Sequence, residues 1–174
     1  WTAFVASTRM GFVSVARGDA GPHPKSNKRE AEAVARLVFT LLRLHRDSAS
    51  VQEIGKHIGI IVPFRAQIAM VRKALASLGI PHPGAFTIDT VERYQGSQRD
   101  VIIFSTTVSQ PAQLAALSEA TDESDGPRLD RKLNVALTRA RQQFFMVGDD
   151  SLLRRCPSYR ELLDFLGESR IFRA

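Results

Sequence analysis

The sequence has little cysteine and no long apolar run. A single cysteine, Cys156, excludes an internal disulfide framework, and it fits a reducing intracellular compartment, cytoplasmic or nuclear. No apolar stretch is long enough to cross a bilayer and no basic-then-apolar leader opens the sequence, so we expect no membrane partner. The four histidines are scattered without metal-ligand spacing, so we expect no metal bound by this chain alone.

The parts with which nucleotide-hydrolysing proteins hold phosphate are also missing. No G-x-x-x-x-G-K-[ST] segment occurs, and no acidic pair follows a predicted strand as a magnesium site requires. Asp149 and Asp150 do follow a predicted strand. They lead into Ser151-Leu152-Leu153, however, and we interpret them as a helix cap.

The charge is strongly basic. A formal net charge of +6 and a sequence pI near 10.1 favour an anionic partner such as nucleic acid. A basic, GC-biased proteome gives the same signal without any such partner, so both interpretations stay open at this point.

Short apolar runs alternate with helical patterns, which is typical of βαβ units. The predicted class is therefore α/β, with a mostly parallel sheet flanked by helices. We expect one compact domain over 1–174, with its core at about 11–153, a surface insertion at 110–127 and a terminal helix at 158–174. The predicted strands cover 11–16, 57–62, 86–89, 101–106 and 143–148.

Three polar segments follow or precede these strands, and we expect all three at the carboxyl ends, where open α/β sheets bind ligands. In the first, Pro63 and Phe64 break a buried strand, and Arg65 and Gln67 then begin a helix. An ordinary βα turn is the alternative interpretation.

The second segment, 87–100, is a polar loop between two strands. Thr90, Gln95, Gly96 and Ser97 supply hydroxyl, amide and backbone N–H groups that suit phosphates without reading a base sequence. Gly96 permits a close backbone approach.

The third segment, 133–141, is predicted to be a short helix that contains Arg139 and is capped by Asp130. Arg139 and Lys132 share a flank beside an apolar stripe. A guanidinium fixed there suits developing phosphate charge, because its planar fork donates several directed hydrogen bonds. An arginine that snorkels from an amphipathic helix is the alternative. The stripe comprises Leu133, Ala136, Leu137 and Ala140.

Together these segments read I-G-I-I-V-P-F-R-A-Q, then T-V-E-R-Y-Q-G-S-Q-R-D, then L-N-V-A-L-T-R-A-R. In this order and spacing they resemble the motifs of the second RecA-like domain of superfamily 1 helicases, and Ser26-Asn27-Lys28-Arg29-Glu30-Ala31 resembles that family's S-x-N-x-x-E-A segment. The similarity covers 11–153, nearest the branch of the nonsense-mediated-decay helicase and the replication helicase-nuclease. It implies a RecA-like fold of the P-loop NTPase type that lacks its own phosphate loop.

The resemblance implies the nucleotide-binding residues. Arg139 matches the catalytic arginine finger that contacts the γ-phosphate, while Gln95 and Gly96 match the loop joining the nucleotide site to the nucleic-acid track. Gln98 stands where glutamate is common, which keeps hydrogen-bonding capacity and removes a charge.

The resemblance also implies a nucleic-acid contact. Thr90 matches the residue that touches the nucleic-acid backbone, with Pro63 and Phe64 beside it. Phe64 replaces the more usual tyrosine and so lacks its hydroxyl.

By the same resemblance, ATP and Mg²⁺ are bound mainly by a first RecA-like domain, which is the expected protein partner. This domain alone is expected not to hydrolyse ATP. The track is single-stranded DNA or RNA, and the branch suggests 5′-to-3′ movement by analogy. The alternative function, favoured only by Gln98, is a degenerate module that binds nucleic acid or protein without catalysis.

Overall fold

The computed structural model describes residues 1–16, 25–45, 49–94, 98–117 and 130–174. Within these ranges six strands form one sheet: β1 (Met10–Ser14), β2 (Ile58–Val62), β3 (Thr87–Thr90), β4 (Arg99–Ser105), β5 (Ala140–Gly148) and β6 (Ile171–Arg173). In the same described residues eight helices connect or flank them: α1 (Thr2–Ser7), α2 (Lys28–His45), α3 (Val51–His57), α4 (Arg65–Ser77), α5 (Leu114–Leu117), α6 (Arg131–Thr138), α7 (Asp150–Leu153) and α8 (Pro157–Leu166). No helix among the described residues is long and apolar enough to cross a membrane.

The strand order is β3-β2-β4-β5-β1-β6, and every described pair is parallel. Parallel strands need crossover connections, which the helices supply on both faces of the sheet. The predicted α/β class with a parallel, helix-flanked sheet is confirmed.

Side chains alternate between two buried layers along the central strands. Ile60 and Ile103 belong to the layer beneath α1 to α4, whereas Ile61 and Phe104 belong to the layer beneath α6 and α8. Because both faces are covered, β2 is buried at all five positions, as its nearly unbroken apolar sequence predicts.

Local sequence signals explain where several helices begin. The Asn27 side chain accepts a hydrogen bond from the backbone N–H of Glu30 at the start of α2. The Asp130 side chain accepts from Leu133 N at 2.9 Å, which confirms the predicted cap of α6. Asp149 caps α7 in the same way, so its interpretation as a helix cap is also confirmed.

Three short elements of the structure were not predicted from the sequence. Helix α3 runs without a break into β2, so the strand predicted from His57 begins at Ile58. Helix α1 packs its Phe4 ring against Phe172, with 5.4 Å between ring centroids. Strand β6 pairs with only three residues of β1, too few for an alternating pattern to stand out.

The chain after 157 is more than the predicted terminal helix. Helix α8 ends at Leu166, because Gly167 adopts a φ of +63° that side-chain-bearing residues rarely tolerate. A 3₁₀ turn, Glu168–Arg170, and the edge strand β6 follow. Of the predicted insertion, 118–127 lies outside the described residues, and the domain bounds remain predictions.

Candidate functional site: two opposite edges of the sheet

Three of the predicted site residues meet at the carboxyl ends of β2 and β3. Pro63 follows the last residue of β2, and Phe64 precedes the first residue of α4. Thr90 ends β3, and the next backbone N–H donates to Val62 O at 3.2 Å, which ties the two strand ends together. Thr90, Pro63 and Phe64 consequently line one open depression of about 630 Å³.

The rim of this depression is basic. Lys25, Arg65 and Arg93 are exposed there beside a single acidic side chain, Glu92. The Lys25 Nζ lies 5.5 Å from the centroid of the Phe64 ring, within range of a cation–π interaction. The depression therefore presents a half-buried aromatic ring among cations, a combination that can stack a planar group and attract an anion.

Thr90 itself is only 7% exposed. Its carbonyl accepts hydrogen bonds from Arg93 N at 3.1 Å and Tyr94 N at 2.9 Å, so Thr90 opens a tight turn. Thr90 therefore contributes little of the accessible surface of the depression, and the exposed cations supply most of its charge.

A second group of predicted residues lies at the amino ends of β4 and β5. Arg139 follows α6 directly, and its carbonyl accepts a hydrogen bond from Arg99 N at 3.0 Å. Gln98 immediately precedes β4, and its side-chain oxygen accepts from Arg141 Nε at 3.4 Å. The structure thus brings Arg139 and Gln98 to one edge.

Three arginines gather around Gln98 on this edge. Arg99 donates from Nη1 to the Gln98 carbonyl at 2.8 Å and from Nη2 to Thr87 Oγ1 at 3.3 Å. The Nε atoms of Arg99 and Arg139 are buried and have no hydrogen-bond partner in the described part of the chain. Buried donors without acceptors are costly, so the guanidinium groups of this edge are incompletely satisfied within the described part of the chain.

Two sequence expectations about Arg139 are wrong. The residue is not inside a helix, since α6 ends at Thr138 and Ala140 already belongs to β5. It is also not at the carboxyl edge. β4 has seven residues, which separate the Arg139 edge from the Thr90 edge by roughly 20 Å. The amino-edge position follows because α6 leads into β5 instead of leaving it.

The neighbours of Arg139 on α6 differ partly from the predicted arrangement. Leu133 and Ala136 are buried as the apolar stripe requires, and Leu137 is half-buried. Lys132 is also buried, 7% exposed, and its Nζ donates to Ala116 O at 2.6 Å. Lys132 therefore holds α5 against α6 and does not share an exposed flank with Arg139.

A buried polar network, which the sequence analysis did not assign, lies behind the carboxyl edge. Glu30, in the first turn of α2, is completely buried and accepts hydrogen bonds from Ser105 Oγ and Thr107 N, both at 2.7 Å. Thr106 Oγ1 and Asn27 Nδ2 donate to its other oxygen at 3.3 and 3.2 Å. Burial raises the pKa of Glu30 from 4.5 to about 7, although these hydrogen bonds oppose the shift.

Some predicted positions cannot be placed. Gln95 and Gly96 lie outside the described residues, and so does Ser97. No group of three or more metal-ligating side chains occurs within the described ranges. Arg99, Arg141 and Lys25 join the site although the sequence analysis passed over them. Their one signal was a positive charge, inside a motif for Arg99 and Arg141 and directly before one for Lys25.

Comparisons with known proteins agree with these motifs. A family model described as an AAA domain matches residues 7–151. The chain is 30% identical over 152 residues to a putative helicase MOV-10 of Gallus gallus, covering 84% of this chain and 16% of the relative. It is 32% identical over 114 residues to the DNA replication ATP-dependent helicase/nuclease DNA2 of Bos taurus, covering 66% of this chain and 10% of that protein.

A solved structure shares the fold. The C-terminal domain of a possible DNA helicase from Lactobacillus plantarum WCFS1 superposes with a TM-score of 0.54 at 14% identity, covering 99% of this chain and 91% of that one. The two relatives above are much longer proteins, of which the chain spans 16% and 10%. With its RecA-like sheet, its helicase motifs and these matches, the chain belongs to the helicase-type AAA domain family.

Proposed function

We propose that this chain is the second motor domain of an ATP-dependent DNA or RNA helicase or translocase. The observation that carries the proposal is the position of Arg139, which the backbone fixes at the amino edge and whose buried Nε has no hydrogen-bond partner among the described residues. In a helicase family, such an arginine suits an arginine finger that reaches the nucleotide held by a neighbouring domain.

The amino edge fits the phosphates of ATP but not the magnesium ion. Arg139 would donate from its guanidinium to the γ-phosphate oxygens, where negative charge develops during hydrolysis. Gln98 and Arg141 would hold the nucleotide from the side, with Gln95 and Gly96 as further contacts by resemblance. The described residues offer no carboxylate cluster for Mg²⁺, so the phosphate loop and the metal ligands are assigned to a first RecA-like domain.

The carboxyl edge would carry the single-stranded track. Lys25, Arg65 and Arg93 address phosphates, the Phe64 ring offers a surface for base stacking, and Thr90 supplies a hydroxyl. None of these groups reads a 2′-hydroxyl or a base edge by its position alone, so the proposal covers DNA and RNA alike.

The alternative function is a degenerate module that binds nucleic acid or protein without turnover. Gln98 favours it, because an amide stands where the family commonly has a glutamate. Against it, Gln98 still accepts from Arg141, and Arg139 keeps its place beside it. The amide therefore still offers an acceptor to Arg141, and it carries no negative charge.

An ATP hydrolysis assay distinguishes the motor function from the non-catalytic module. We would measure ATP hydrolysis by the longer protein, including the domain that precedes this one, with and without single-stranded DNA and RNA. The motor proposal predicts hydrolysis that one of the two strands stimulates. Tight strand binding without turnover, in a protein whose upstream segment lacks a phosphate loop, would favour the module instead.

A further inference from the structure

The network behind the carboxyl edge is a closed ring of hydrogen bonds. The Gln67 side chain bonds the backbone of Asn27 twice, with Oε1 accepting from Asn27 N at 2.8 Å and Nε2 donating to Asn27 O at 2.9 Å. The same Nε2 donates to Ser105 Oγ at 3.2 Å, and Ser105 Oγ donates to Glu30. Glu30 closes the ring through the Asn27 side chain. All four residues are buried.

This ring connects directly to the proposed nucleic-acid face. Asn27 lies two residues after Lys25, and Gln67 lies three residues after Phe64, whose carbonyl accepts from Gln67 N at 3.0 Å. The paired bonds between Gln67 and Asn27 therefore set how far Lys25 stands from the Phe64 ring. We propose that Glu30 is a positioning residue for nucleic-acid binding, which orients this ring and so places Lys25 over Phe64. The proposal rests on the carboxyl edge being the track.

Glu30 orients two members of the ring, the Ser105 hydroxyl and the Asn27 side chain, because an ionised carboxylate only accepts hydrogen bonds. With Glu30 as acceptor, the Ser105 hydroxyl points its proton toward Glu30 and offers a lone pair to Gln67 Nε2. The Asn27 backbone itself orients the Gln67 amide, since its N–H donates to Oε1 and its carbonyl accepts from Nε2. Glu30 in turn orients the Asn27 side chain, whose Nδ2 donates to the carboxylate. The backbone N–H of Thr107, whose φ is +60°, also donates to Glu30, so the carboxylate holds a strained turn at the end of β4.

The pH dependence of strand binding distinguishes a positioning role of Glu30 from a purely structural one. The groups facing it from α2, β4 and the turn after β4 are amides and hydroxyls, and no charged side chain of the described residues contributes to its pKa of about 7. Protonation places an O–H among donors, so either the Ser105 hydroxyl of the ring or the neighbouring Thr106 hydroxyl must accept a hydrogen bond instead of donating one. We expect strand affinity to increase as the pH rises through about 7, whereas a titrating histidine cation would weaken binding over that range.

The experiment compares the 174-residue chain with Glu30→Gln and with Glu32→Gln, an exposed glutamate on the same helix. Fluorescence anisotropy measures the affinity for labelled oligothymidylate across pH values around 7, and NMR follows the Phe64 ring resonances without a strand. Wild type and Glu32→Gln should gain roughly three- to tenfold in affinity as pH rises, the range of one modest hydrogen-bond contribution. Their Phe64 resonances should titrate with the same midpoint, and Glu30→Gln should lose both effects.

Each outcome decides the proposal. Phe64 resonances that do not titrate in wild type would overturn it without any variant, so a misfolded Glu30→Gln would not remove the test. The same pH profile in Glu30→Gln as in wild type would also overturn it. A third outcome is that the Phe64 resonances titrate in wild type but not in Glu30→Gln, while the chain binds no strand at any pH. Glu30 would then order this edge, but the edge would not be the nucleic-acid track.

Discussion

Replacing Arg139 with alanine, in the longer protein that contains its first motor domain, should abolish most ATP turnover while sparing the fold. In this domain the residue is held by its backbone: its N–H donates to Ala136 O and its carbonyl accepts from Arg99 N. Alanine keeps both bonds. The buried Nε of the guanidinium makes no hydrogen bond within the described residues, so its removal leaves no partner there without a hydrogen bond.

The two effects differ widely in size. The unfolding free energy should change by about 1 kcal/mol or less, as for a half-exposed side chain without fixed partners. Turnover should fall by roughly two or more orders of magnitude, which corresponds to about 2.7 kcal/mol or more in activation free energy. Arg139→Lys should also fail to restore turnover, because a point charge does not reproduce the guanidinium fork.

Steady-state ATP hydrolysis and thermal melting of the same preparations check this prediction, with Arg160→Ala, an exposed arginine on α8, as the matched control. The control should keep both activity and melting temperature. Near-normal turnover with a normal melt in Arg139→Ala would reject the finger role. Lost turnover with a collapsed melt would show instead that Arg139 is a structural residue.

Three further predictions follow from the charge, the packing and the buried carboxyl. Binding of single strands should be sequence-independent and fall steeply with salt, because cations addressing phosphates release counterions; a salt-insensitive, sequence-selective complex would contradict this. Gly59→Ala should lower the unfolding free energy by about 1–3 kcal/mol in urea denaturation, because the new Cβ would overlap Tyr94 Oη; an unchanged midpoint would disprove this packing. The raised pKa of Glu30 means that its folded state binds the proton more tightly, so stability should fall by about 3 kcal/mol as pH rises from 4.5 to about 7. Glu30→Gln should lack that pH dependence, and a variant that retains it would disprove the assignment to Glu30.

The sequence predicts the sheet well because its strands are buried on both faces. The unbroken apolar run of β2 and the helical spacing in α2 and α4 need no tertiary information to be recognised. Helix α3 and strand β6 were missed for the opposite reason. One is seven residues long and runs directly into a strand, and the other has three residues.

The roles of the site residues stay predictions that rest on family motifs, and the expectation that all of them lie at the carboxyl edge was wrong. A motif after a strand and a motif before a strand look alike in sequence, yet a parallel sheet sends them to opposite edges. Thr90 ends β3 and Arg139 precedes β5, so the two lie on different edges. The hydrogen-bonded ring around Glu30 could not be predicted from the sequence either. Asn27 and Gln67 are 40 residues apart and Glu30 and Ser105 are 75 apart, so no local pattern links them.

The central claim is that the two edges have separate tasks, with nucleic acid on the carboxyl edge and nucleotide on the amino edge. The most direct measurement is the affinity of the 174-residue chain for labelled oligothymidylate without nucleotide, as a function of salt. Lys25→Ala and Arg65→Ala should each weaken binding and reduce the slope of log affinity against log salt by about 0.7 per lost phosphate contact. Arg139→Ala should leave affinity and slope unchanged. A loss of strand binding in Arg139→Ala, with Lys25→Ala and Arg65→Ala unaffected, would contradict the account.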